Sequence, residues 1–268
     1  VKRILKANFV NASNFGDCVF PYMLNKWKIP YVWAHHHEEF KIISTGSIAG
    51  IGAKPNTRVW GSGIIEKNTK LEPRAIYDLV RGKYTEQNTN YSDLPWGDPA
   101  IALPHFYVPN STAKQYDIGI IPHQIHFTKI ANEIKEKNLE YKIIDPSTSH
   151  GLKFEKYIDE VVSCKKIIST TLHGLIVAHA YEIPAIPLHY DDSLVGDGIK
   201  FADYYSVWKH DSPESPMFYG KLEQAEKQNS YWKPDKNLIN NVIETILNTC
   251  PLNDTKFMED DRYFIIQT

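Results

Sequence analysis

The stretch Ile167–Pro187, IISTTLHGLIVAHAYEIPAIP, decides how the chain is read. The β-branched pair Ile167 and Ile168 runs into three hydroxyl residues, Ser169, Thr170 and Thr171, which suit a helix N-cap. Apolar residues at helical spacing follow at Ile176, Val177 and Ala180. A strand, a tight turn and a helix are expected. Such a turn points free backbone N–H groups and the positive end of a helix dipole beyond the strand, an arrangement that favours a phosphate or a carboxylate. His173, in the first turn of the helix, stands within proton-transfer reach of such a ligand.

Outward from this stretch the same alternation recurs. Strands are expected at Asp117–Pro122, Tyr141–Ile144, Lys166–Ser169 and Ala185–Tyr190, with helices at Phe127–Lys137, Phe154–Ser163 and Leu172–Tyr181. That order implies parallel βαβ units and a Rossmann-like second half. Ligands in such sheets bind beyond the carboxyl ends of the strands, where His123, Asp145, Thr170 and His173 fall. Gly196-Asp197-Gly198 then forms a glycine loop ahead of Lys200 and a short aromatic helix ending at Tyr205. A lysine beside such a loop is either a surface cation or a point charge for phosphate. Asn237–Leu247 reads as an amphipathic helix, and Arg262–Thr268 as a tail that packs back on the first half.

The first half begins with a strand over Lys2–Val10 and the turn NASNFGD, Asn11–Asp17. Gly16 there permits a positive φ or a close backbone approach, and Asp17 is expected to cap a helix over Cys18–Trp27. After a short extended segment at Tyr31–Ala34, the adjacent His35, His36 and His37 cannot share one face, and no second ligand set follows at zinc-like spacing. They read as a solvated loop, and no metal is expected. Lys41–Ile51 and Thr57–Ile65 are β-rich and end in glycine and serine, but neither fits a P-loop or a dinucleotide fingerprint. Ala75–Thr85 places Arg81 at a strand tip, where a guanidinium caps a surface or grips an anion in bidentate fashion. Gly97-Asp98-Pro99 reads as a turn into a short strand at Ala100–Pro104, with Asp98 a turn residue and not a catalyst. Polar Ser111–Gln115 separates an N-terminal domain, 1–112, from a C-terminal domain, 113–268.

Composition narrows the classes. Across 268 residues, 42% hydrophobic and 23% charged content is that of a chain with a full core. A net charge of -2 and a pI near 6.6 leave no electrostatic footprint for nucleic acid. Cys18, Cys164 and Cys250 are too scattered for a disulfide or metal pattern and fit a reducing compartment. No run reaches the roughly 20 apolar residues of a membrane span, and Val1–Asp17 lacks the apolar core of a signal peptide. A cytoplasmic protein is expected, with membrane contact limited to the inner face.

Taken in order, the stretches NFGD (Asn14–Asp17), GSIAG (Gly46–Gly50), VWGSGII (Val59–Ile65), VRGKYT (Val80–Thr85), GDPAIALP (Gly97–Pro104), GIIPH (Gly119–His123), STTLHGLIVAHAYEIP (Ser169–Pro184) and IKFADYY (Ile199–Tyr205) span nearly the whole chain. Together they resemble the polysaccharide pyruvyl transferase family, in particular its bacterial exopolysaccharide branch. The resemblance implies an α/β chain of two Rossmann-like domains facing each other across a cleft, similar to B-type glycosyltransferases. It implies phosphoenolpyruvate as donor with no further cofactor, and a sugar or lipid-linked oligosaccharide as acceptor, the product being a cyclic pyruvate ketal. The histidine of the family's Leu-His-Gly motif corresponds to His173, and the arginine of its Val-Arg motif to Arg81. Many relatives have Arg-Leu-His-Gly where this chain has Thr171-Leu172-His173-Gly174, so the charge of that arginine has to come from elsewhere.

The residues suggest how. A histidinium at 173 can protonate the methylene carbon of an enol phosphate. Arg81 and Lys200, with His123, are expected to neutralise the donor, while Thr170, Thr171, Leu172 and Gly174 hold it at the helix start. Asp17 is the candidate base for the acceptor hydroxyl. Two rival classes share these features: a nucleotide-sugar glycosyltransferase, and a carbohydrate-binding protein in which His173 only packs.

Overall fold

The computed structural model describes residues 2–10, 14–147, 152–211 and 217–267. Asn11–Ser13 of the first turn and Thr268 of the tail therefore lie outside the described residues. Strands alternate with helices along the chain and assemble into two sheets, giving a mixed α/β, Rossmann-like architecture.

The first sheet holds β1 (Lys2–Asn8), β2 (Tyr31–Trp33), β3 (Ile42–Ser44), β4 (Arg58–Trp60) and β5 (Ile76–Leu79). Parallel registers run through it, Ala7 opposite Ile42, Ile43 opposite Val59 and Val59 opposite Tyr77. The second holds β6 (Tyr116–Ile121), β7 (Lys142–Ile143), β8 (Cys164–Ser169), β9 (Ala185–His189) and β10 (Phe218–Tyr219), all parallel in the order β10-β9-β8-β6-β7. Ile167 and Ile168 are fully buried, as expected of a strand covered on both faces. The last strand, β11 (Phe264–Gln267), joins the first sheet antiparallel to β1, with Lys2 opposite Gln267.

Exposed Ser111–Gln115 leads from one sheet to the other, yet apolar packing runs across both. The largest buried cluster includes Leu5, Trp60 and Leu79 together with Ile121, Ile167 and Leu175. Phe15 stacks on Phe154 and Tyr157 at 4.3 and 4.1 Å between ring centres. The Leu172–Ala180 helix, buried on nearly every side, packs on the Pro99–Ala102 turn, and so does the Lys236–Asn248 helix. Among the described residues no helix is long and apolar enough to cross a membrane.

Two local expectations are corrected. Ala100–Pro104 is no strand: Pro99–Ala102 is a 3₁₀ turn continued by the Leu103–Phe106 helix. Asp98 starts it by accepting the Ala100 amide, Pro99 supplies a helix-compatible φ, and Pro104 has no amide for a ladder. The cap of the first long helix, Phe15–Lys26, is Asn14 and not Asp17. The Asn14 side chain accepts the Asp17 amide at 3.1 Å and donates from Nδ2 to the Asp17 carboxylate, which lines the adjoining pocket.

Candidate active site

Two strand-to-helix turns, one from each sheet, meet at the site. After β8, Thr171 has the extended φ of -115° and ψ of 146° of an N-cap, and its Oγ1 accepts the Gly174 amide at 2.9 Å. Ser169 Oγ braces the turn by donating to Ile121 O at 3.1 Å. His173 projects from this helix start onto the turn after β1. There the ring lies directly against Gly16: a Cβ at residue 16 would fall 2.1 Å from His173 Nδ1. Only glycine leaves room for the imidazole.

Around this contact is a pocket of about 210 Å³, lined from the first half by Gly16, Asp17 and Ser47 and from the second by His123, Thr171, Leu172, His173 and Lys200. Burial raises the Asp17 carboxyl to about 6, against the lowering influence of His173 and of the Asn14 side chain. Lys200 is held below the ordinary lysine range by burial and by the charge of Arg81. His123 is likewise lowered, by burial, Lys200 and His126, and so is neutral near pH 7. Lys200 has no hydrogen bond or ion pair among the described residues, so its charge is available to a ligand. The helix N-terminus at Leu172 adds donor amides on the same wall.

Residues 2–192 match the model of a protein family described as polysaccharide pyruvyl transferase, which covers most of the chain. The chain belongs to the polysaccharide pyruvyl transferase family. It is thus an enzyme of pyruvyl transfer. It is also similar to an uncharacterized protein of Acanthamoeba polyphaga mimivirus, 32% identical over 222 residues that make up 77% of this chain and 75% of that relative.

In this pyruvyl transferase the residues expected at the site separate into two groups. His173, Asp17, Thr171, Leu172, Lys200 and His123 share the pocket wall. Arg81, Thr170 and Gly174 stand behind it. The Arg81 guanidinium is fully buried over Gly63, where a Cβ would lie 2.3 Å from Cζ. Its Nε donates to Asp203 Oδ2 at 3.0 Å, Nη1 to Ser47 Oγ at 2.7 Å and Nη2 to Ile64 O at 2.6 Å. Thr170 Oγ1 accepts the His123 amide at 2.7 Å and lies 3.1 Å from His126 Nδ1, a ring bonded in turn to Asp191. Gly174 faces inward, with Ser169 Oγ 2.3 Å from where its Cβ would be.

Three participants have no counterpart among the residues singled out from the sequence. Ser47, inside GSIAG, touches both the pocket and Arg81. Asp203, inside IKFADYY, is the buried partner of Arg81 and also accepts the Thr85 amide and hydroxyl. Asp98, read as a turn residue, does cap a turn but is completely buried, with Oδ2 3.6 Å from His173 Nε2. A motif search could have flagged the first two by their stretches, whereas nothing local marks Asp98 as the neighbour of a histidine 75 positions on.

Proposed function

We propose that the enzyme moves the enolpyruvyl group of phosphoenolpyruvate onto two hydroxyls of a sugar, forming a cyclic pyruvate ketal and inorganic phosphate in polysaccharide biosynthesis. In this reading residues 1–112 and 113–268 are two Rossmann-like domains facing across the cleft around His173, the second holding the donor and the first the acceptor. The observation that carries it is Lys200, which has no hydrogen bond or ion pair among the described residues, in the same small pocket as His173 and the amides of a helix start. That grouping suits a compact anion lying beside a protonatable ring. It also answers the missing arginine: Thr171 spends its oxygen on the cap, and Lys200 brings the charge.

The reaction then runs as follows. The His173 imidazolium gives a proton to the methylene carbon, leaving a methyl group and an oxocarbenium-like carbon that still bears phosphate. One sugar hydroxyl adds to that carbon and passes its proton to Asp17, whose raised value suits a base working near neutrality. The second hydroxyl replaces phosphate, which departs with the second proton while Lys200 and the helix amides bind its charge. Arg81 acts from behind the wall, holding Ser47 and adding its field to that of Lys200.

Incubation with phosphoenolpyruvate and a panel of free and lipid-linked sugar diols should release phosphate and add the mass of pyruvate less water to the acceptor. His173→Gln should lower that rate by about 10²–10⁴. Release of nucleoside diphosphate from a sugar nucleotide, with no use of phosphoenolpyruvate, would overturn the reading.

A further inference from the structure

The two carboxyl oxygens of Asp98 live in different surroundings. Oδ1 accepts the Ala100 amide at 3.0 Å and so starts the Pro99–Ala102 turn. Among the described residues Oδ2 is buried without a hydrogen-bond partner, and so is His173 Nε2, which faces it at 3.6 Å. Buried polar atoms left unbonded are costly, and a buried carboxylate without a cation is costlier still. A proton on Nε2 relieves both at once, because Nε2–H then points at a carboxylate. The other ring nitrogen, Nδ1, lies on the Gly16 side, where both residues line the pocket.

The charged and titratable groups around the ring favour the same state. Asp17 faces His173 from the Phe15–Lys26 helix, with buried Cys18 beside it. Lys200, neutral His123 and Tyr157 line the pocket, and Tyr204, hydrogen-bonded to His179, adjoins Asp98. Two carboxylates thus surround the ring against one lysine, and that lysine is the group assigned to the donor's charge.

We propose that Asp98 is the positioning residue of the proton donor: it holds the His173 ring with Nε2–H toward Oδ2, so that the proton transferred to the donor is the one carried on Nδ1, at the pocket side. The inference rests on His173 being the donor of that proton. The proton leaves Nδ1 for the methylene carbon, the ring becomes neutral with Nε2–H still facing Asp98, and the acceptor hydroxyl's proton restores the imidazolium by way of Asp17 or solvent.

Asp98→Asn keeps an oxygen for the Ala100 amide, removes the charge and turns the atom that faces Nε2 from an acceptor into a donor. Its kcat for phosphate release should fall about 10–100-fold at pH 7.5, with the KM for phosphoenolpyruvate little changed and the high-pH limb of the rate profile moved to lower pH by about one unit. A profile superimposable on that of the unmodified enzyme, while His173→Gln is inactive, would overturn the role of Asp98 and leave the reaction standing. An active His173→Gln would overturn the reaction assignment and this inference together. In the unmodified chain, ¹⁵N-histidine spectra give a check that needs no folded variant: Nε2 of His173 should carry a proton, and a ring with a bare Nε2 and a proton on Nδ1 alone would overturn the proposal.

Discussion

Near the pocket lie two buried acid–base pairs built on opposite plans. Arg81 and Asp203 meet at 3.0 Å with both side chains fully buried, and the remaining atoms are taken up by Thr85, Ser47 and Ile64. His173 and Asp98 stand 3.6 Å apart, and the two facing atoms have no hydrogen-bond partner among the described residues. A closed network of this kind fixes structure, because each charge is compensated and each donor used. The open pair leaves a proton unassigned, as a group that must release and regain one requires. Under-satisfied polar atoms in an otherwise well-bonded interior are where function is to be sought.

The contrast can be broken from either side. The largest effect is expected from opening the closed pair: Asp203→Ala strands a buried guanidinium and should cost about 3–5 kcal/mol in urea unfolding. Asp98→Asn, by contrast, should cost clearly less, since its Oδ1 bond to the Ala100 amide is kept. Equal losses in the two variants would erase the distinction. Next comes Gly16→Ala, whose methyl would collide with the His173 ring and should lower turnover by about 10²-fold through misplacement, while donor binding changes less. Lys200→Gln follows: it should raise the phosphoenolpyruvate concentration for half-saturation about tenfold and leave acceptor dependence alone. The smallest effect concerns Asp17. Its carboxyl is raised from 3.8 to about 6, so the folded chain keeps a proton there that the unfolded chain has already released. Folding stability should therefore fall as pH rises from 3.8 to about 6, and Asp17→Asn should flatten that fall. Parallel pH–stability curves for the two chains would count against it.

Sequence reading reached some of this and not the rest, for physical reasons. β8, its turn and the Leu172–Ala180 helix were legible because apolar period, hydroxyl cap and helix all agree within a dozen residues. The parallel pairing of the second sheet was legible from the alternation of strands and helices. Ala100–Pro104 misled because its apolar residues owe their burial to packing by the Leu172–Ala180 and Lys236–Asn248 helices, and not to a place in a sheet. Arg81 was legible as a strand-tip cation, but its partner Asp203 is 122 positions away and no local pattern announces that a charge is already compensated. Gly16 could be recognised as a close-approach residue, while what approaches it, the ring of His173, is a matter of tertiary structure.

The pairing of β11 with β1 has a consequence for synthesis. Leu5 meets Phe264 and Lys2 meets Gln267, so the first sheet holds strands from both ends of the sequence. On a ribosome, where chains emerge N-terminal end first at about 5–20 residues per second, β1 emerges well before β11 and stays without this partner until it does. During that interval its main-chain donors and acceptors on that stretch are open to chance pairing with other chains. The nascent enzyme should accordingly be most vulnerable to aggregation before Phe264–Gln267 emerges, and an appendage that obstructs those few residues should harm yield out of proportion to its size.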